Sequence, residues 1–343
     1  MERVKRVRVA YLGFGAVNQA LHALLARRRD ALARDHGLDV VATGVASRRL
    51  GWRADASGLD PSRPTGVDHA GVDHGSVDAW LAAARPDVVC EAIALDPHTG
   101  QPALDYLGAA LSYGAHVVSA NKGPVVHGYR ALAALAARAG RRYRFEAAVM
   151  DGAPVFSLGR ALPLAGLRAV HGVFTSTATV VLEAMEAGGT LDDGIAHAQS
   201  LGIAEADPSY DVDGWDSAVK LCAVANVLLG ADLRPRDVAR DGIRSLGAAE
   251  VRRAAAEGRP YRLVGHVDAG AAPLARVSPE RCAPDGPLGI VRGATLVMHY
   301  EADVFPGGLT VTSHAPDPTT TAYGMLADLV DVVRDGRAVT RDS

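Results

Sequence analysis

The chain has 343 residues, more than one hydrophobic core ordinarily supports, so two domains are expected. Apolar residues make up 48% and charged residues 22%, and the formal charge is −3; this is ordinary globular composition and offers neither nucleic acid nor an anionic membrane a reason to bind. Cys90, Cys222 and Cys282 form no CxxC pair and are odd in number, which argues against a disulfide framework and points to the cytoplasm.

In chain order, "VRVAYL" (Val7 to Leu12) reads as a buried strand. The turn "GFGAVN" (Gly13 to Asn18) and a helical run "QALHALLARRRDALARD" follow it. No signal peptide is expected ahead of this strand, and no run of 18 apolar residues occurs elsewhere. "LDVVATGVA" (Leu38 to Ala46), "PDVVCEAI" (Pro86 to Ile93), "AHVVSAN" (Ala115 to Asn121) and "YRFEAAV" (Tyr143 to Val149) read as further strands, with helices at "SVDAWLAAA", "PALDYLGAALSYG" and "YRALAALAARAG". Strands alternating with helices imply βαβ units and a parallel sheet over about residues 1–150.

After Asp151 the rhythm changes. "ALPLAGLRAVHGVFTST" reads as loop and strand, and helices are expected near 180–187, 191–201 and 216–229. "RLVGHVDAG", "LARVSP", "ATLVMHYEAD" and "GLTVTS" read as antiparallel strands, and "TTTAYGMLADLVDVVRD" as a final helix with threonine hydroxyls at its start. The expected architecture is a Rossmann-type α/β nucleotide-binding domain over 1–150, completed by a C-terminal helix at about 312–343, with an α+β domain over 151–311.

Gly13 and Gly15 stand between a strand and a helix, as a dinucleotide fingerprint requires. The first permits the tight turn, and the second lets a pyrophosphate approach the backbone at the helix N-terminus. Gly13, Gly15, Ala16, Val17 and Asn18 are therefore the cofactor-turn candidates, with Asn18 standing where a third glycine is usual. No acid follows the second strand to bind a ribose 2′-hydroxyl. "ASRRLGWR" stands there instead, and Arg48 and Arg49 suit a 2′-phosphate, which places NADP ahead of NAD.

"AEADPSYDVDGWDSAVKL" (Ala204 to Leu221) puts five carboxylates ahead of one lysine. On a helix from Asp216, Ala218, Leu221, Cys222, Ala225, Leu228 and Leu229 make one apolar stripe, and Asp216 and Lys220 are neighbours on the opposite face. That face continues with Ala223 and Val227, so the helix is apolar nearly all round and Lys220 is expected to be sheltered. A sheltered ammonium must be paired or lose its proton, and beside Asp216 it becomes an amine able to trade protons. An ordinary surface pair at i, i+4 spacing is the alternative. The crowded acids call for a cation, either a bound metal or a substrate ammonium.

Four segments together resemble the homoserine dehydrogenase family: "GFGAVN", "SANKGPV" (Ser119 to Val125), "FEAAVMDGAPVFSL" (Phe145 to Leu158) and "LGIAEADPSYDVDGWDSAVKL". The last follows the family signature G-x-x-E-x-D-P-x-x-D-x-x-G-x-D-x-x-x-K, and the order and spacing of all four agree over about residues 7–335. The resemblance implies reduction of aspartate 4-semialdehyde to homoserine with NADP or NAD. Carried over residue by residue, Lys220 would deliver the proton to the carbonyl oxygen and Asp216 would position it. Glu205 would bind the substrate ammonium with Asp211 nearby, and Thr177 would line the substrate pocket. Lys122 would lie where cofactor and substrate meet and assist the oxygen. The resemblance further implies a sodium ion held by backbone carbonyls at Glu146, Val149, Asp151 and Ala153, and a homodimer made by the central domain.

The chain departs from the family at Asn18 and at "EAIALDPHTGQPA", which lacks Thr-Pro-Thr. It departs again at "TSTATVVL", which puts Val180 at a tyrosine place, and at "TSHAPDPTTTAYG", where a glycine-rich stretch is usual. Feedback by threonine through an appended domain is not expected. Two other readings stay open: an oxidoreductase acting on another amino-acid semialdehyde, and a nucleotide-binding sensor without turnover.

Overall fold

The structure, a computed structural model, describes residues 4–62, 72–270 and 274–334. The chain divides into two compact units, Met1–Gly152 with Pro318–Ser343, and Ala153–Asp317.

The first unit holds a seven-stranded sheet of β1 (Lys5–Leu12), β2 (Leu38–Ser47), β3 (Gly51–Ala54), β4 (Val72–Asp73), β5 (Val88–Glu91), β6 (His116–Ser119) and β7 (Tyr143–Arg144), in the order β4-β3-β2-β1-β5-β6-β7. The five strands from β2 to β7 run parallel, and β3 and β4 are an antiparallel edge. Val7, Val9, Ala10, Tyr11 and Leu12 of β1 are all buried, the signature of a parallel strand covered on both faces. Because β2 lies on one side of β1 and β5 on the other, strand order reverses at β1, and a crevice opens beyond the carboxyl ends of β1 and β5. Helix Pro318–Val333 closes the unit: Ala322, Met325, Leu329 and Val332 join one core with Leu21, Leu24 and Leu25 of helix Ala16–Arg27.

Local readings shift in four places. The single helical run after the glycine turn is two helices, Ala16–Arg27 and Arg29–His36, broken at Arg28. The strand expected over 143–149 ends at Arg144, because the Glu146 N–H donates to Asp328 Oδ2 at 2.7 Å instead of to a ladder, and Ala147–Met150 turns helical. The edge strands β3 and β4 escaped notice, being four and two residues long. The C-terminal return to the first unit starts at Pro318 rather than near 312, because Thr312 and Ser313 are still paired in the second sheet.

The second unit holds β8 (Leu167–Val173), β9 (Ala239–Arg240), β10 (Tyr261–Asp268), β11 (Ala275–Arg281), β12 (Leu296–Ala302) and β13 (Phe305–Ser313), in the order β13-β12-β8-β10-β11-β9. All neighbours are antiparallel except β9 and β11. Helices Ser176–Glu186 and Trp215–Leu228 pack on this sheet. Gly172 of β8 and Gly265 of β10 are paired across the ladder, and both face the ring of Phe174. A Cβ on Gly172 would stand 2.4 Å from that ring and one on Gly265 2.7 Å away, so the two glycines form the seat that the ring fills.

Candidate functional site

In the first unit the glycine turn sits at the strand-order reversal. Gly13 has φ +82°, open to glycine at little cost, and a Cβ there would come within 2.5 Å of the Ala92 carbonyl at the end of β5. Gly15 is exposed at the N-cap of helix Ala16–Arg27, its added Cβ would meet nothing, and no side chain caps the helix. The uncapped N–H groups of this twelve-residue helix, with the open approach at Gly15, fit a dinucleotide pyrophosphate. Ala16 is exposed and Val17 half-buried at the helix start.

The Asn18 side chain turns away from the open face of the turn. It is fully buried and points under the turn, donating to the carbonyls of Gly13 at 2.6 Å and Cys90 at 3.2 Å. It ties the turn to the end of β5, a job that needs an amide and room for it, where a third glycine would only bring helix and strand closer. Arg48 and Arg49 lie exposed on the turn after β2, with no acid at that strand end.

The ends of β5 and β6 carry a buried polar network that sequence reading missed. Glu91 and Ser119 are opposite each other in the ladder, and both are fully buried. Glu91 Oε1 accepts from Ile93 N–H at 2.8 Å and from Asn121 Nδ2 at 3.2 Å, and Oε2 accepts from Ser119 Oγ at 2.5 Å. Ser119 Oγ accepts in turn from Asn121 N–H at 3.0 Å, and Asn121 Oδ1 accepts from Gly123 N–H at 3.0 Å as the cap of helix Lys122–Arg138. Burial pushes the Glu91 carboxyl above its ordinary range, against the pull of its three donors. Lys122 is the first residue of the capped helix and is half-buried. The missed signal was an acid inside the otherwise apolar "VVCEAIA", since a charge in such a run needs partners.

In the second unit the acid-rich segment folds as a short helix, Ser209–Val212, and then Trp215–Leu228, entered at Gly214 with φ +80°. Lys220 Nζ lies 2.8 Å from Asp216 Oδ2 and donates to the Phe174 carbonyl at 2.6 Å. The two charged side chains are only 13% and 10% exposed, which is the sheltered pairing the helical spacing implied. Asp216 also occupies the first turn of its helix, where the dipole favours an anion. Next to this pair, Thr177 Oγ1 donates to Asp211 Oδ2 at 2.6 Å, so two of the expected substrate residues hold each other.

The crowding of acids is relieved from within the chain as well. Asp213 pairs with Arg244 at 2.5 Å, and Asp207 accepts from Ser209 N–H at 3.0 Å. Glu205 is exposed, and its carbonyl accepts from Gln199 Nε2 at 3.1 Å. Tyr210 is a further residue that sequence reading passed over. Its phenol is pushed well up, first by burial and then by Asp216 and Asp211, and its hydroxyl has no hydrogen-bond partner among the described residues. Cys222, on the apolar stripe, is a buried thiol pushed up to about 12 by burial, and so is inert.

The carbonyls considered for sodium belong to Glu146, Val149 and Asp151 in the first unit and Ala153 in the second. Glu146 and Val149 are buried, and Asp151, at φ +50°, ends the four-residue helix Ala147–Met150, which leaves its last carbonyls without a following turn. Among the described residues no cluster of three or more His, Cys, Asp or Glu could hold a metal. The Ala153 carbonyl already accepts from Val155 N–H at 2.8 Å.

Comparison with known proteins agrees with this chemistry. The sequence profile described as homoserine dehydrogenase matches residues 154–330. A protein of Pseudomonas canavaninivorans named NAD(+)-dependent homoserine dehydrogenase is 32% identical over 338 residues, covering 95% of this chain and 96% of its own length. Among solved structures, a homoserine dehydrogenase from Thiobacillus denitrificans superposes with a TM-score of 0.81 at 26% identity, over 97% of this chain and 74% of that one. A hyperthermophilic archaeal homoserine dehydrogenase in complex with NADPH gives 0.80 at 25% identity, over 96% and 98%. A third of all positions shared along nearly the whole length of both chains is more than a common fold requires: the chain belongs to the homoserine dehydrogenase family.

Proposed function

We propose that the chain interconverts L-homoserine and L-aspartate 4-semialdehyde with NADP or NAD, as a step of threonine and methionine biosynthesis. The observation that carries this is the sheltered Lys220–Asp216 pair, anchored on the Phe174 carbonyl. Bound at the glycine turn, the nicotinamide cofactor supplies the hydride for reduction and takes it back in the reverse direction.

The protein's own part is proton handling and positioning. As the aldehyde carbon gains hydride, its oxygen gains a proton from Lys220 Nζ, which Asp216 holds in place. In oxidation the same nitrogen takes the hydroxyl proton back. Lys122 supports the reacting oxygen. Glu205 takes the substrate ammonium, aided by Asp211, whose carboxylate Thr177 orients at 2.6 Å. Arg48 and Arg49 select the cofactor at the ribose. A sodium ion on the carbonyls of Glu146, Val149, Asp151 and Ala153 and a homodimer built through the second unit complete the proposal on the strength of the family resemblance, and a cytoplasmic site of action on that of the cysteine usage. No helix among the described residues is long and apolar enough to cross a membrane.

The test is consumption of NADPH and of NADH with aspartate 4-semialdehyde and with shorter and longer semialdehydes, in wild type and Lys220→Ala. Turnover on aspartate 4-semialdehyde, with kcat lowered roughly 10²–10⁴-fold in the variant and KM little changed, is expected. Cofactor binding without turnover in the wild type, or near-intact kcat in Lys220→Ala, removes the reading.

A further inference from the structure

We propose that Glu91 is a positioning residue for the reaction: its buried carboxyl joins the loops that leave β5 and β6 and, through Asn121, sets the helix N-terminus that carries Lys122. The inference rests on the role assigned to Lys122 above.

A carboxyl in a fully buried strand end is costly unless each oxygen is satisfied, and here each is. The partners are not incidental. Ile93 starts one loop at the strand-order reversal, and Ser119 and Asn121 belong to the other. The amide of Asn121 has two chemically different ends that differ little in shape, so packing alone does not decide which way it faces. An acceptor at Glu91 Oε1 takes the NH2 end, which turns Oδ1 onto the Gly123 N–H and caps the helix. Ser119 Oγ fixes the backbone of the same residue by accepting its N–H while donating to Glu91 Oε2. Lys122 follows directly, so the direction in which its side chain leaves the helix start is inherited from this network.

Glu91→Gln keeps the shape and can still accept from Ile93 and Asn121, but it presents a donor to the Ser119 hydroxyl, and one hydrogen in the network loses its acceptor. The experiment is a double-mutant cycle with Lys122→Ala on the full-length protein, reading kcat, KM for both substrates and thermal midpoint. Expected are a kcat about tenfold lower in Glu91→Gln, KM for the cofactor within about twofold of wild type, and no further loss of kcat when Glu91→Gln is added to Lys122→Ala. A residue that merely supports the fold would lower the thermal midpoint and multiply its loss with that of Lys122→Ala. Wild-type kcat in Glu91→Gln, or losses that multiply, overturn the inference. Intact turnover in Lys122→Ala alone retires the role of Lys122 and this inference with it, whereas an impaired Lys122→Ala with multiplying losses retires only the inference. Should Glu91→Gln fail to fold, Ser119→Ala breaks the same network at one bond and is held to the same non-additivity.

Discussion

Two charged residues on one helix behave differently from the rest of their neighbourhood. Lys220 and Asp216 are sheltered and hold each other, while Glu205 stands exposed. That division matches a division of labour between proton transfer and capture of a charged substrate end. Glu205→Gln therefore belongs to binding. Losing one charge-assisted contact at an exposed position is expected to raise KM for aspartate 4-semialdehyde about tenfold with kcat within about twofold. Steady-state kinetics check this, and a fall in kcat at unchanged KM would place Glu205 in the chemistry instead. The pairing of Lys220 was legible because i, i+4 spacing is a property of the helix itself. The second hold on Lys220, the Phe174 carbonyl 46 positions away, was not, because nothing in local spacing encodes a contact between a helix and a distant strand end. The side chain of Asn18 was illegible for a related reason. Its position in the motif was plain, but that its amide ties the turn to a strand end depended on Cys90, a residue of a different strand.

Among the elements, the pairing of β8 with β10 places the lysine proposed as proton donor. Gly172 and Gly265 leave a slot, Phe174 fills it, and the Phe174 carbonyl holds Lys220. Gly265→Ala would put a methyl 2.7 Å from a fully buried ring. Overpacking of this kind costs about 1–3 kcal/mol, so a lower thermal midpoint is expected. Because the displaced ring shares its residue with the carbonyl on Lys220, kcat should fall as well, by about tenfold, while cofactor binding, proposed for the other unit, stays near wild type. Thermal melts, turnover and cofactor titration on one preparation separate these effects, and a variant with lower stability but full kcat would break the link between Phe174 and Lys220.

The whole molecule repeats a division of duties between two compact units, one with a parallel sheet and a strand-order reversal, the other with a sheet whose neighbours are antiparallel except β9 and β11. The second unit is the one through which a dimer is proposed. Sedimentation equilibrium is expected to return twice the 35.6 kDa chain mass at micromolar concentration; the mass of one chain at all concentrations tested would discard the dimer.

The sequence by itself determined the alternation of strands and helices in the first 150 residues, the glycine turn, the sheltered helix bearing Asp216 and Lys220, and the family. Each is written in short-range periodicity or in the spacing of a few residues, and local sterics suffice to read it. Tertiary structure alone decided that the C-terminal return begins at Pro318, that Asn18 serves the strands, that Glu91 binds two loops, and that Phe174 anchors Lys220. These depend on which strand ends and side chains meet in space, and burial turns such meetings into obligations: a carboxyl, an amide or an ammonium removed from water must find its partner wherever the chain brings one.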